Sequence, residues 1–181
     1  MAPVSTILNK IVNQKLIEVA VRKSKFPQHR LVHQLDEAPP VRGFYFALKD
    51  CIQTGRDAVI AEVKRASPSV GMIRQDFDPI EIAQSYSDGG ATCLSILTDE
   101  NFFKGCNQYL KSIRTHCSLP LLRKDFIIDP YQVSLSKSFG CDCILIIIDA
   151  ISPNQADEIY SEAIKQNLSV IVEVHDQKEA E

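Results

Sequence analysis

No apolar run in this 181-residue sequence approaches the roughly 20 residues that a membrane-spanning helix needs. The N-terminus, MAPVSTILNKIVNQKLIEV, has no charged stretch followed by a continuous apolar core, so it does not read as a secretory signal. Excess positive charge is missing as well. The net charge is -3, which supplies no electrostatic reason to bind nucleic acid or an anionic membrane surface. Six cysteines are present but no CxxC pair, and Cys93, Cys141 and Cys143 sit in or beside apolar runs. They read as small buried hydrophobes in a reducing compartment, which points to the cytoplasm. The four histidines (His29, His33, His116, His175) show no ligand spacing to one another or to a cysteine pair, so no metal site is expected. What remains is ordinary globular composition, 45% hydrophobic and 24% charged, in a chain long enough to bury one substantial core.

Residues 5 to 25 predict an amphipathic helix, with Ile7, Leu8, Ile11, Val12, Leu16, Ile17, Ala20 and Val21 at helical spacing. A mixed segment containing Pro27 and Pro39-Pro40 follows, then a short helix from Phe44 to about Ile52. Residues 1–55 read as an N-terminal helical extension, ahead of a regular pattern over 56–181.

That pattern is a repeat. Short apolar runs occur at AVIAEV (58–63), CLSIL (93–97), LPLL (119–122), CILIII (143–148) and SVIVEV (169–174), with starts 35, 26, 24 and 26 residues apart. Near-continuous apolar strands separated by room for one helix predict parallel strands with helical crossovers. Helix starts share one grammar in Asp78-Pro79-Ile80-Glu81, Asp129-Pro130-Tyr131-Gln132 and Ser152-Pro153-Asn154-Gln155. A side-chain acceptor comes first, then proline at the first helical position, then Glu or Gln at the third. Gly89-Gly90 and Gly140 fall where helices should stop. Asp176-Gln177-Lys178-Glu179 reads as one more helix start, and the sequence ends two residues later, as in a piece of something longer.

Charge placement is the unusual feature. Residues two apart on a strand share a face, so Ile60, Glu62 and Lys64 line one side and Val59, Ala61 and Val63 the other. Lys124 follows the third run and Glu173 closes the fifth. In parallel α/β folds ligands bind at the carboxyl ends of the strands. Three strands thus deliver ionisable groups to one rim. The alternatives are structural ion pairs for Glu62 and Lys64, and a solvated turn for Lys124, flanked as it is by Arg123 and Asp125. The segment 65–71, RASPSVG, has the chemistry of a flexible loop. Asn101-Phe102-Phe103 could wall an apolar pocket or pack under the next helix.

The motifs IAEVKRASPSVG, LSILTDENFFKG, LLRKDFIIDPYQV and VIVEVHD, in this order, resemble the indole-3-glycerol phosphate synthase family of tryptophan biosynthesis. The resemblance implies a (β/α)8 TIM barrel with an N-terminal helical extension, here with about five βα units. It implies a carbon–carbon lyase that converts an anionic phosphosugar, 1-(2-carboxyphenylamino)-1-deoxyribulose 5-phosphate, to indole-3-glycerol phosphate with loss of carbon dioxide and water. It implies no metal and no organic cofactor. On the matching positions, Lys124 would be the general acid and Glu173 the acid or base opposite it. Lys64 would pair with the substrate carboxylate or phosphate, and Glu62 would orient that lysine. Ser67 would lie near the substrate, and Phe103 and Phe126 would hold the aryl ring. The family's later motifs are absent: asparagine-arginine after strand six, glutamate-serine-glycine after strand seven and glycine-serine after strand eight. Cys106 also stands where many members have serine. Five strands do not close a barrel, so the expectation is an inactive chain that self-associates through its open edges, or a non-catalytic piece. Two rivals fit less well. A five-stranded receiver module needs paired acids after its first strand, and another phosphosugar barrel would lack AEVKRASPS and LLRKDF.

Overall fold

The computed structural model describes residues 6–177 and 179. Three helices come first: α1 (Thr6–Lys25), α2 (Gln28–Asp36) and α3 (Phe44–Gln53). Strand β1 (Ile60–Val63) follows, then a small antiparallel hairpin of β2 (Ala66–Ser67) and β3 (Gly71–Met72). From there strand and helix alternate: α4 (Pro79–Asp88), β4 (Cys93–Leu97), α5 (Asn107–His116), β5 (Leu121–Lys124), α6 (Tyr131–Ser138), β6 (Cys143–Ile147), α7 (Pro153–Lys165) and β7 (Ser169–Glu173). The large sheet is parallel throughout, in the order β1-β4-β5-β6-β7. Each new strand joins the edge left by the one before, which is the winding of a βα barrel. Among the described residues, β1 and β7 are its two edges.

Both faces of the sheet's central strands are covered, which is why β4 (CLSIL) and β6 (CILII) are buried along their whole length and nearly all apolar rather than alternating. On the outer face, Val63, Leu94, Ile96, Leu121, Ile144 and Ile146 pack with Leu110, Ile113, Val133 and Ile159 of the crossover helices. On the inner face, Cys93, Leu122, Cys143, Leu145 and Ile147 meet Phe44, the first residue of α3. Helix α3 therefore closes the amino-terminal end of the barrel interior.

Asp78 and Ser152 cap their helices as expected, whereas at α6 the cap position falls on Pro130, with Asp129 one residue ahead of it. Asp78 accepts from the Ile80 N–H at 2.8 Å and the Glu81 N–H at 3.1 Å. Ser152 and Gln155 form a reciprocal capping box, and Asp129 accepts from the Tyr131 N–H at 2.9 Å. Gly90 and Gly140, just past their helices, adopt φ of 85° and 82°, which a side chain would strain. The Asp176 carboxylate accepts from the Glu179 N–H at 3.0 Å, and Glu179 accepts from the His175 N–H at 2.8 Å; the helix expected from Asp176 onward lies largely outside the described residues.

Three expectations are corrected. The segment after Pro27 contains helix α2, whose Leu31 is buried with Val19, Tyr131 and Leu135. Helix α1 buries Ile11, Lys15 and Val19, whereas Leu16 and Ile17 are 52% and 61% exposed. The buried stripe runs at intervals of four through a lysine, because α1 lies over the charged rim of the sheet and not over its apolar flank. Finally, Arg123 and Asp125 are not part of a solvated turn; both are buried.

Ahead of α3, Arg42 forms a clasp. Its N–H donates to the Asp142 carboxylate at 2.6 Å, and its guanidinium donates to the carbonyls of Cys117, Leu119 and Arg114 at 2.6, 3.0 and 2.9 Å. Asp142 is itself buried and holds Arg114 at 2.7 Å. All six cysteines are free and five are buried. Burial pushes the thiols of Cys93 and Cys141 up to about 12, far from the reactive thiolate form.

Candidate active site

The inward positions of neighbouring strands stack in register. Glu62 on β1 lies opposite Ser95 on β4, which lies opposite Leu122 on β5; one level higher, Leu97 lies opposite Lys124; at the far side Ile147 lies opposite Glu173. This level arrangement brings Glu62, Lys124 and Glu173 around a single hollow of about 400 Å³, floored by Leu122, Leu145 and Ile171. Lys64 reaches the group through its ion pair with Glu62. Across the hollow the Lys124 ammonium lies 3.2 Å from the Glu173 carboxylate. All four heads are partly exposed, which leaves them open to a ligand.

A second hollow of about 300 Å³ adjoins the first and shares Lys124, Leu145 and Glu173 with it. Its walls are apolar: Ile7, Leu8 and Ile11 of α1, Leu97 and Ile147 of the strands, and the rings of Phe103 and Phe126. Those two rings lie 6.1 Å apart and 38° from parallel. Asn101-Phe102-Phe103 thereby contributes one slot wall. A charged hollow thus opens into an aromatic-lined slot. Ser67 stands apart, in the β2–β3 hairpin, where its hydroxyl meets Ser69 at 3.4 Å and the Val70 N–H at 3.3 Å.

A family model of indole-3-glycerol phosphate synthase matches residues 8–181. The chain belongs to the indole-3-glycerol phosphate synthase family. It is 49% identical over 175 residues to the indole-3-glycerol phosphate synthase of Azospirillum brasilense, covering 97% of this chain and 67% of that protein. It is 48% identical over 177 residues to the indole-3-glycerol phosphate synthase of Acinetobacter baylyi, covering 98% of this chain and 65% of that protein. The chain thus spans about two thirds of the length of these indole-3-glycerol phosphate synthases.

Beneath the rim lies an ion cluster that the sequence pattern did not disclose. The Lys15 ammonium, 5% exposed, sits 2.9 Å from Glu18, 3.1 Å from Asp99 and 2.9 Å from Asp125. Asp125 also holds Arg123 at 2.8 Å and accepts from the Thr98 hydroxyl at 2.7 Å. Burial disfavours the charge on Lys15, but Asp125, Glu18 and Asp99 together outweigh it and hold the ammonium above its ordinary value. Burial likewise opposes the Asp125 carboxylate, yet Arg123 and Lys15 bring it down to about 2. The cluster fastens α1 to the loops after β4 and β5, and so fixes both Phe103 and the strand end that presents Lys124. One clue was available: a lone lysine spaced four residues from Ile11 and Val19.

A further hollow of about 420 Å³ lies between α1 and these loops. Its buried cations, Lys15 and Arg123, are already paired within the cluster. At the mouth of the slot, Asp149, His175 and Glu179 bring side-chain ligand atoms within 4.8 Å of one another, and His175 Nε2 lies 3.7 Å from Glu173.

Proposed function

We propose that this chain forms the acid–base half of an indole-3-glycerol phosphate synthase site, acting on 1-(2-carboxyphenylamino)-1-deoxyribulose 5-phosphate. The observation that carries the reading is the Lys124–Glu173 pair, held where the charged hollow meets the aromatic slot. In this reading the aryl ring enters the slot between Phe103 and Phe126, and the sugar carbonyl lies against Lys124. The ammonium donates a proton to that carbonyl oxygen as the ring carbon attacks the carbonyl carbon and a carbon–carbon bond forms. Loss of the ring carboxylate as carbon dioxide returns its bonding pair to the ring. The new hydroxyl then leaves as water, taking a proton from an acid, while Glu173 removes the proton that lets the indole double bond form. Lys64 pairs with the substrate carboxylate or phosphate, Glu62 orients Lys64, and Ser67 enters if the hairpin folds toward the rim. The slot supplies orientation.

The residues before the first strand, 1–55, act in this reading as an extension that lids the slot through α1, and 56–181 as the first five βα units. A cytoplasmic setting belongs to the proposal, supported by six unpaired thiols. No helix among the described residues is long and apolar enough to cross a membrane.

The test is titration of the chain with the substrate, with product formation followed by indole absorbance, beside the Azospirillum relative. Binding is expected, with turnover well below the relative's, because the β1 and β7 edges leave the interior open. Lys124→Ala should lower any turnover by about 100-fold or more and weaken binding. Equal binding by the Lys124→Ala chain refutes the assignment, and turnover near the relative's refutes the role given to the open edges.

A further inference from the structure

Among the described residues, Ser95 carries the one buried hydroxyl with no hydrogen-bond partner. The residue is 4% exposed and lines the charged hollow. Its neighbours at the inward level are Glu62 on one side and Leu122 on the other. Other polar groups near the rim are taken: Thr98 bonds Asp125, and Arg123 bonds Thr98, Asp125 and Ser136. The Ser95 hydroxyl has no protein partner to give up, so a group that turns toward it at the wall of the hollow meets a ready donor.

We propose that Ser95 is a reserve donor for Glu62, engaged when a bound anion draws Lys64 away; the inference rests on the function proposed above. In the free chain the Glu62 carboxylate is held by Lys64. A substrate carboxylate or phosphate entering the hollow competes for the same ammonium. Once Lys64 turns to the ligand, Glu62 is a half-buried carboxylate short of a donor, facing an apolar floor. Ser95 is directly across the strand pair, where inward side chains come within about 5 Å at Cβ, and its hydroxyl has no protein bond to break before it can donate. Ser95 is thus a positioning residue: it lowers the cost of transferring Lys64 from Glu62 to the ligand.

The hallmark is opposite behaviour in the free and bound states. In the free chain, Ser95→Ala should leave the thermal midpoint unchanged or raise it, since no bond is lost. Binding of 1-(2-carboxyphenylamino)-1-deoxyribulose 5-phosphate, followed by calorimetric titration, should weaken by roughly tenfold, the scale of a hydrogen bond to a charged group. In a Glu62→Ala background the same substitution should no longer change affinity, because the group it serves is gone. A lowered midpoint in the free chain, unchanged affinity, or an equal affinity loss with and without Glu62 each overturns the proposal. Failure of the unsubstituted chain to bind the substrate instead overturns the proposed function, and the reserve-donor role with it.

Discussion

Replacing Lys15 by methionine keeps most of the side-chain stem and removes the charge that three carboxylates share. Asp125 would retain Arg123 at 2.8 Å and the Thr98 hydroxyl at 2.7 Å. Asp99 would retain the N–H groups of Phe102 and Phe103, at 2.7 and 3.2 Å, but no cation from this cluster. Removing one partner of a buried pair costs about 3–5 kcal/mol, because the other charge is left desolvated. The apolar anchors of α1 are Ile11 and Val19, worth about 1.5–3 kcal/mol each. The two sums are comparable, so the loss should appear as local undocking of α1 and not as collapse of the sheet. Native-state hydrogen exchange reads this directly. Amides of α1 that exchange by undocking should lose roughly 100- to 1,000-fold or more in protection, while those of β5 and β6 keep theirs. A second substitution, Asp99→Asn, should restore part of the loss, since an amide needs no counter-ion. If α1 protection stays within threefold of the unsubstituted chain, the cluster does not hold the helix and the reasoning is refuted.

The same cluster sets a pH dependence. Asp125 titrates near 2 when folded against an ordinary value of 3.8, so its contribution, about 2 kcal/mol, is present above pH 3.8 and vanishes as the pH falls toward 2; urea titrations across that window should show it. Lys15 is shifted upward, so its contribution is complete below 10.5 and is lost only as the pH rises beyond that, which leaves stability flat with respect to this pair between pH 5 and 9. Cys106 occupies the N-cap of α5, where its sulfur accepts from the Gln108 N–H at 3.4 Å. A thiol is a weak acceptor, so Cys106→Ser should stabilise the chain by about 0.5–1 kcal/mol, read as a raised denaturation midpoint.

The barrel winding was legible because the strands are short apolar runs at regular spacing and several crossovers announce their start with a cap; CLSIL became β4 residue for residue. The alternation of Ile60, Glu62 and Lys64 likewise marked which side of β1 faces inward. The face of α1 was not legible. Counting apolar residues favoured Leu16 and Ile17, but the helix rests on carboxylates from two loops far along the chain, and a lysine satisfies those better than leucine would. Helix α2 was hidden for a related reason: it has one buried side chain, Leu31, too few for a periodic signal. Ser95 was invisible as a candidate, because an isolated serine within an apolar strand differs in no local way from a packing choice until its empty surroundings are seen.

The Arg42 clasp has a consequence for how the chain reaches this shape. Its bonds join residues 72 to 100 positions apart, from the leader of α3 to the starts of β5 and β6. Contacts that span so much chain form slowly, because the loop must close before anything rewards it. During synthesis the early helices therefore emerge with no place to settle until the third and fourth barrel strands have left the ribosome. These helices settle only after strands well downstream of them are in place.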